Sequence, residues 1–142
     1  LKRVVLDTNV VIAALFWPGP PRLVYDLVRN GQLVMLISLK MEQEFIRVLG
    51  YDRFGLTSAE IMPFVRELRL KGVPVEISKA IMEITADPTD NIFLECAVDG
   101  KADYIISGDK HLLVLSSYSG IPILRPKDFL IREGYVLNDQ GS

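Results

Sequence analysis

Four carboxylates in this chain sit at positions where chemistry is the better explanation for them as a group. Asp7 interrupts an apolar run: Val4-Val5-Leu6 leads into it, Thr8-Asn9 follows, and apolar sequence resumes at Val10-Val11-Ile12. A buried carboxylate is costly unless something pairs with it. A turn accounts for the Thr and Asn but only in part for the Asp. Asp90 stands in "DPTDN", Asp109 in "SGDKH" and Glu44 in "MEQEFIRVL". Each has a bland role of its own. Asp90 near a helix start is favoured by the helix dipole, Asp109 can cap a short helix, and Glu44 can be a solvated helix residue. Asp87 reads as a helix cap ahead of Pro88.

The group is harder to dismiss. Two carboxylates about 5 Å apart repel by roughly 3 kcal/mol at an effective dielectric near 20, and no Lys or Arg is obviously interleaved among these. A divalent cation removes that cost. All-oxygen ligands suit Mg²⁺ or Mn²⁺, and with a single His and a single Cys there is no cluster suited to zinc.

The elements that must position these acids follow from the apolar pattern. Short apolar segments at 3–7, 33–37, 73–77, 103–107 and 121–124 read as strands buried on both faces, as in a parallel sheet. Helices are expected over 9–16, 21–30, 39–49, 57–72, 87–100, 109–115 and 126–133. Thr57-Ser58-Ala59-Glu60 forms a capping box, and Asp87 caps the fifth helix. Alternating strands and helices give an α/β sandwich, a three-layer α/β/α domain with a five-stranded parallel sheet. One domain is expected over 1–137, with a frayed tail at 138–142. Right-handed crossovers bring the carboxyl ends of all strands to one edge. Asp7, Glu44, Asp90 and Asp109 all fall there, where open α/β sheets bind ligands. Periodicity leaves Glu42 as open a candidate as Glu44, because both border the apolar stripe of Met41, Phe45 and Val48.

Composition narrows the classes. The 142 residues carry a net charge of −2, against a protein that grips nucleic acid through a generally basic surface. Bound cations would supply the missing positive charge. The lone Cys96 excludes an internal disulfide framework and suits a reducing compartment, so a cytoplasmic location is expected. No run approaches the roughly 20 apolar residues of a membrane span. The opening segment lacks a cleavage site and is not expected to be a signal peptide, and an initiator Met is expected to precede Leu1.

The strings "VVLDTNVVIAAL", "EFIRVL", "DPTDNIFLECA" and "ADYIISGDKHLL" resemble, in order and spacing, the motifs of PIN-domain ribonucleases, most closely the toxin components of VapC-type toxin–antitoxin pairs. The resemblance implies strand order 3-2-1-4-5 and metal-dependent RNA cleavage, with Mg²⁺ or Mn²⁺ held by Asp7, Glu44, Asp90 and Asp109. It selects Glu44 over Glu42. It makes Thr8, Asn9, Asn91 and Ser107 supporting polar residues, and it implies a homodimer and an antitoxin partner. The helical segments at 23–28 and 61–70 carry apolar residues in excess of one core face, which suits a dimer. Arg22, Lys40, Arg47 and Lys110 are candidate contacts to the RNA backbone. His111 departs from the Asp common at its position, and a surface or capping role is expected for it.

Two other classes compete. A PIN-like module that binds RNA or protein without catalysis would share every motif. A receiver-type phosphoryl-accepting domain has the right size, but it needs an acid pair after the first strand and an Asp ending the third. Here Thr8-Asn9 and Glu76-Ile77-Ser78 occupy those places.

Overall fold

The computed structural model describes residues 1–137, with the backbone alone at residue 52, so the tail expected at 138–142 lies outside the described residues. The sheet contains β1 (Lys2–Leu6), β2 (Leu33–Ile37), β3 (Gly72–Pro74), β4 (Tyr104–Ile106), β5 (Ser117–Tyr118) and β6 (Ile121–Leu124). Their order is β3-β2-β1-β4-β6-β5. All pairs are parallel except β5 with β6. The sheet is therefore six-stranded, not five-stranded. The added strand is the first arm of a hairpin whose two loop residues, Ser119 and Gly120, both have positive φ (50° and 76°), as a type I′ turn requires. Leaving β5 aside, the parallel strands follow the 3-2-1-4-5 order.

The apolar character of β1 and β4 has the consequence expected of central parallel strands. Val4, Val5, Ile105 and Ile106 are fully excluded from solvent. From β1 the chain winds outward one way through β2 and β3 and the other way through β4 and β6. Right-handed crossovers then place helices on both faces. These are α1 (Thr8–Phe16), α2 (Pro20–Arg29), α3 (Leu39–Leu49), α4 (Ser58–Lys71), α5 (Asn91–Asp99), α6 (Lys110–Leu113) and α7 (Pro126–Arg132). The amphipathic helices bury one stripe each: Val24, Tyr25 and Val28 in α2, Met41, Phe45 and Val48 in α3, and Ile61, Val65 and Leu68 in α4. The capping box expected at Thr57 and Glu60 forms in both directions. None of the described helices is long and apolar enough to cross a membrane.

Two elements differ from the expectation in ways that matter for the site. β3 covers Gly72–Pro74, the Val75 N–H still donating to the Ile37 carbonyl at 2.8 Å, so the strand is shorter than the expected 73–77 at its far end and starts one residue earlier. The fifth helix does not start at residue 88. A 3₁₀ turn over Pro88–Asp90 intervenes, and α5 proper starts at Asn91. The Asp87 side chain makes no bond to a helix N–H; it accepts instead from the Thr89 hydroxyl at 2.6 Å. The cap expected of Asp87 is thus absent.

Gly72 joins α4 directly to β3, and a Cβ there would lie 2.6 Å from Ile37 Cγ2 and 2.8 Å from the Leu68 carbonyl oxygen. Gly72→Ala should lower stability by about 1–3 kcal/mol, an overpacking cost, as measured by urea unfolding. Gly108→Ala, with no atom within 4 Å of the new methyl, should leave the midpoint nearly unchanged. Equal midpoints for both variants would show that the helix–strand junction has room to relax.

Candidate metal centre

Asp7 immediately follows β1 and Asp109 comes three residues after β4, so the parallel pairing of these neighbours brings the two acids to one end of the sheet. Ser107 links them. Its Oγ donates to Asp7 Oδ2 at 2.6 Å and accepts from the Asp109 backbone N–H at 2.9 Å. Asp7 Oδ1 accepts from the Asn9 N–H at 3.3 Å, and Asp109 Oδ1 accepts from the His111 N–H at 2.7 Å. Each acid is thereby both a turn or cap residue and a wall of the cleft; Asp109 is the cap of the short helix, and the His111 N–H is the donor it satisfies.

The third and fourth acids arrive from the helix side. The 3₁₀ turn carries Asp87 and Asp90 to the same place. Carboxylate oxygens of Asp87, Asp90 and Asp109 lie within 4.8 Å of one another. Asn91 holds the approach to this turn from within the core. Its Oδ1 accepts from the Ile84 N–H at 2.8 Å, and its Nδ2 donates to the carbonyls of Ile84 and Pro88 at 2.9 and 3.1 Å. Asn91 thus supports the loop and not the acids directly. Glu44 comes from the second turn of α3 and accepts a charge-assisted bond from Arg47. Glu42 turns away to pair with Arg69. Of the two glutamates, Glu44 lines the cleft and Glu42 does not.

Asp7, Thr8, Asn9, Glu44, Asp87, Asp90 and Asp109 thus line one open cleft of about 210 Å³, together with Arg47, Tyr51 and Arg53. The basic residues divide. Arg47 is at the cleft, so a cation is interleaved after all. Arg22 is occupied elsewhere, its Nε donating to the Ala14 carbonyl at 3.0 Å. Lys40 faces the buried Glu95 at 3.8 Å across a different surface. Lys110 is exposed beside Asp109 without lining the cleft. Sequence reasoning assigned Asp87 to a cap and passed over Tyr51 and Arg53. The acid pair three apart around Pro88 was the available signal for Asp87.

Burial and mutual repulsion show in the protonation of the acids. Asp90 is pushed up to about 7, first by burial and then by the charges of Asp109, Asp87 and Asp7. Asp7 is raised by burial, and bonds from Ser107 and Asn9 oppose the rise. Asp90 Oδ2 is buried with no hydrogen-bond partner among the described residues. A buried carboxylate oxygen left bare beside two other carboxylates fits a divalent cation, and an all-oxygen donor set suits Mg²⁺ or Mn²⁺ over zinc.

An open, mostly parallel α/β sheet thus carries, beside its switch point, a carboxylate cluster that could hold a cation. The match to the family model described as PIN domain covers residues 3–111, and the chain belongs to the PIN-domain family. Among curated proteins no sequence matches the chain significantly. The matched span contains every acid of the cleft and ends two residues beyond Asp109, and PIN domains are generally metal-dependent nucleases.

The raised acids set a pH dependence for the metal-free protein. A carboxyl whose pKa is higher folded than unfolded binds more protons when folded, so its contribution is present at low pH and lost as pH rises. For Asp90 that window runs from its ordinary value of 3.8 to about 7. In EDTA, the melting temperature should therefore fall between about pH 4 and pH 8, a loss on the order of a few kcal/mol. Asp90→Asn should flatten the decline and melt higher than wild type at pH 8. A wild-type melting temperature that rises steadily over this range would contradict the electrostatic account.

Proposed function

We propose that the protein is a Mg²⁺- or Mn²⁺-dependent endoribonuclease. The observation that carries this is the bare, buried Oδ2 of Asp90 within a three-aspartate group, in a chain of the PIN-domain family. Asp87, Asp90 and Asp109 would hold the cation, with Asp7 and Glu44 at the border of the same cleft. When bound, such a cation acidifies water and offsets the negative charge that grows on a phosphodiester during hydrolysis.

The chain's own residues prepare that cleft. Ser107 fixes the Asp7 carboxylate and the Asp109 backbone in one geometry, so neither must reorganise on binding. Asp90 carries a proton over much of the neutral range and surrenders it when a cation arrives, which makes cation affinity rise with pH. Arg47 holds Glu44 in place on the cleft wall through a charge-assisted bond.

The biological role follows the resemblance of the four motifs to VapC-type toxins. On that reading the protein is the toxin of a toxin–antitoxin pair, cytoplasmic, one domain over 1–137, homodimeric and restrained by an antitoxin. The exposed apolar side chains Leu23, Met62 and Leu70, on the two helices expected to supply the contact, support a dimer.

Purified protein should cut labelled RNA internally in Mn²⁺ or Mg²⁺ and stop in EDTA. Asp90→Asn and Asp109→Asn should each lose at least about a hundredfold in rate, since each removes charge from the cation site. Asp87→Asn should also lose activity, an effect that a helix cap would not produce. Glu42→Gln, which alters only the pair with Arg69, should stay within about twofold of wild type. Equal rates for wild type and Asp90→Asn would identify a contaminating nuclease and favour a binding module without catalysis.

A further inference from the structure

The acidic cleft has a second wall of different chemistry. Tyr51, just past α3, and Arg53, in the short turn Asp52–Phe54, line it with Arg47. The Arg53 guanidinium lies over the Tyr51 ring at 5.3 Å from its centroid and over the Phe54 ring at 5.0 Å. Arg47 approaches Tyr51 at 5.7 Å and donates to its hydroxyl at 2.6 Å. The row continues away from the cleft. Phe16 stacks on Phe54 with centroids 5.6 Å apart and planes 14° from parallel, and Trp17 packs on Phe16 at 5.8 Å. Phe16 and Phe54 are half-buried, whereas Tyr51 is 38% and Trp17 56% exposed. Both ends of the row therefore offer ring surface to solvent, and neither is needed to fill the core.

We propose that this row is the track along which single-stranded RNA reaches the carboxylates, its bases stacking on Tyr51 and Trp17 and its backbone passing Arg53; this deepens the nuclease reading and rests on it. Exposed rings in series with a guanidinium between them match the chemistry of single-strand binding. Every base has a π-face, so stacking tolerates any sequence, and the arginine adds both charge and a stacking plane. Bases in a duplex already stack on one another and cannot reach the rings. The alternation of ring and cation, and its continuity with a cleft suited to phosphodiesters, favour nucleic acid over an apolar protein partner. The overall charge of −2 leaves this strip to do locally what a basic surface does elsewhere.

The test is fluorescence anisotropy with the full chain in EDTA, using a labelled oligouridylate of about 12 nucleotides and a duplex RNA of equal length. The single strand should bind about tenfold tighter than the duplex. Tyr51→Leu should weaken single-strand binding about tenfold, and Trp17→Ala about threefold or more. Tyr51→Phe should bind within about twofold of wild type, because it keeps the ring and loses only the bond to Arg47. In Mn²⁺ cleavage assays Tyr51→Leu should raise KM and leave kcat within about threefold. The proposal is overturned if Tyr51→Leu, with an unchanged melting temperature, binds and cleaves as wild type does. It is equally overturned if Phe fails as badly as Leu, if the duplex binds as well, or if the variants lose only self-association in light scattering. Tyr51-dependent binding with no cleavage of any RNA would sink the nuclease reading and leave the track standing. Cleavage with an unaltered KM in Tyr51→Leu would do the reverse.

Discussion

Repulsion among carboxylates is the constraint on which the carboxyl edge of this sheet depends. Three aspartates place oxygens within 4.8 Å of one another, and Asp7 adds its charge from the next position along the edge. Pairwise repulsion at such distances is on the order of 3 kcal/mol at an effective dielectric near 20. Left to itself a flexible chain would separate these groups. They stay together because the backbone beneath them has no freedom to yield. β1 and β4 are paired in parallel with their central residues wholly buried, and the Asp7 N–H itself donates to the Ile106 carbonyl at 3.0 Å. The Ser107 hydroxyl then spans residues 100 apart in sequence to fix the Asp7 carboxylate. Core packing thus sustains an arrangement that is unfavourable in itself, and the unmet charge is what the proposed cation would offset.

The two sides of the cleft are held differently. Asp7 directly follows a strand and Asp109 lies three residues past one, each accepting a hydrogen bond from the backbone of the next turn. Asp87 and Asp90 sit on a 3₁₀ turn whose approach is clamped by a single buried side chain, Asn91. The substitution of a tighter turn for the first turn of an α-helix has a chemical effect. In a regular N-terminus these carboxylates would accept bonds from helix N–H groups and be neutralised in place. Here, among the described residues, Asp90 makes no capping bond and Asp87 bonds only the Thr89 hydroxyl. Both keep oxygen lone pairs for another ligand.

This contrast explains what could be read from the sequence and what could not. The parallel sheet and the convergence of Asp7, Asp90 and Asp109 on one edge follow from apolar segments and the handedness of crossovers, which are global constraints visible in the residue pattern. The strand order rested on the resemblance alone. Ser107 was recognisable only through the resemblance, since its role depends on a contact across the switch point. Asp87 was misread because Asp-Pro is the signal for a helix cap, and the deciding fact is a local change from α to 3₁₀ geometry that propensity does not resolve. β5 escaped notice because two residues, Ser117 and Tyr118, carry no periodicity; only the Ser119-Gly120 turn betrays the hairpin. The fates of Arg22 and Lys40 were not legible at all. Each finds a tertiary partner, Ala14 or Glu95, that no local pattern announces.

An acidic protein proposed to act on a polyanion must solve a problem of approach. A broadly basic surface would attract RNA at long range but would also neutralise the acid cluster and compete for its cation. The cleft separates the two demands within one wall. Glu44 takes the charge of Arg47, so that the acids keep their negative field, while Arg53 presents its guanidinium between aromatic faces a short step outward. Recognition through ring faces draws little on net charge, so it can sit beside a negative cluster without cancelling it. On this view the pairing of Arg47 with Glu44 sets the boundary between the part of the cleft that holds a cation and the part that would hold a nucleotide.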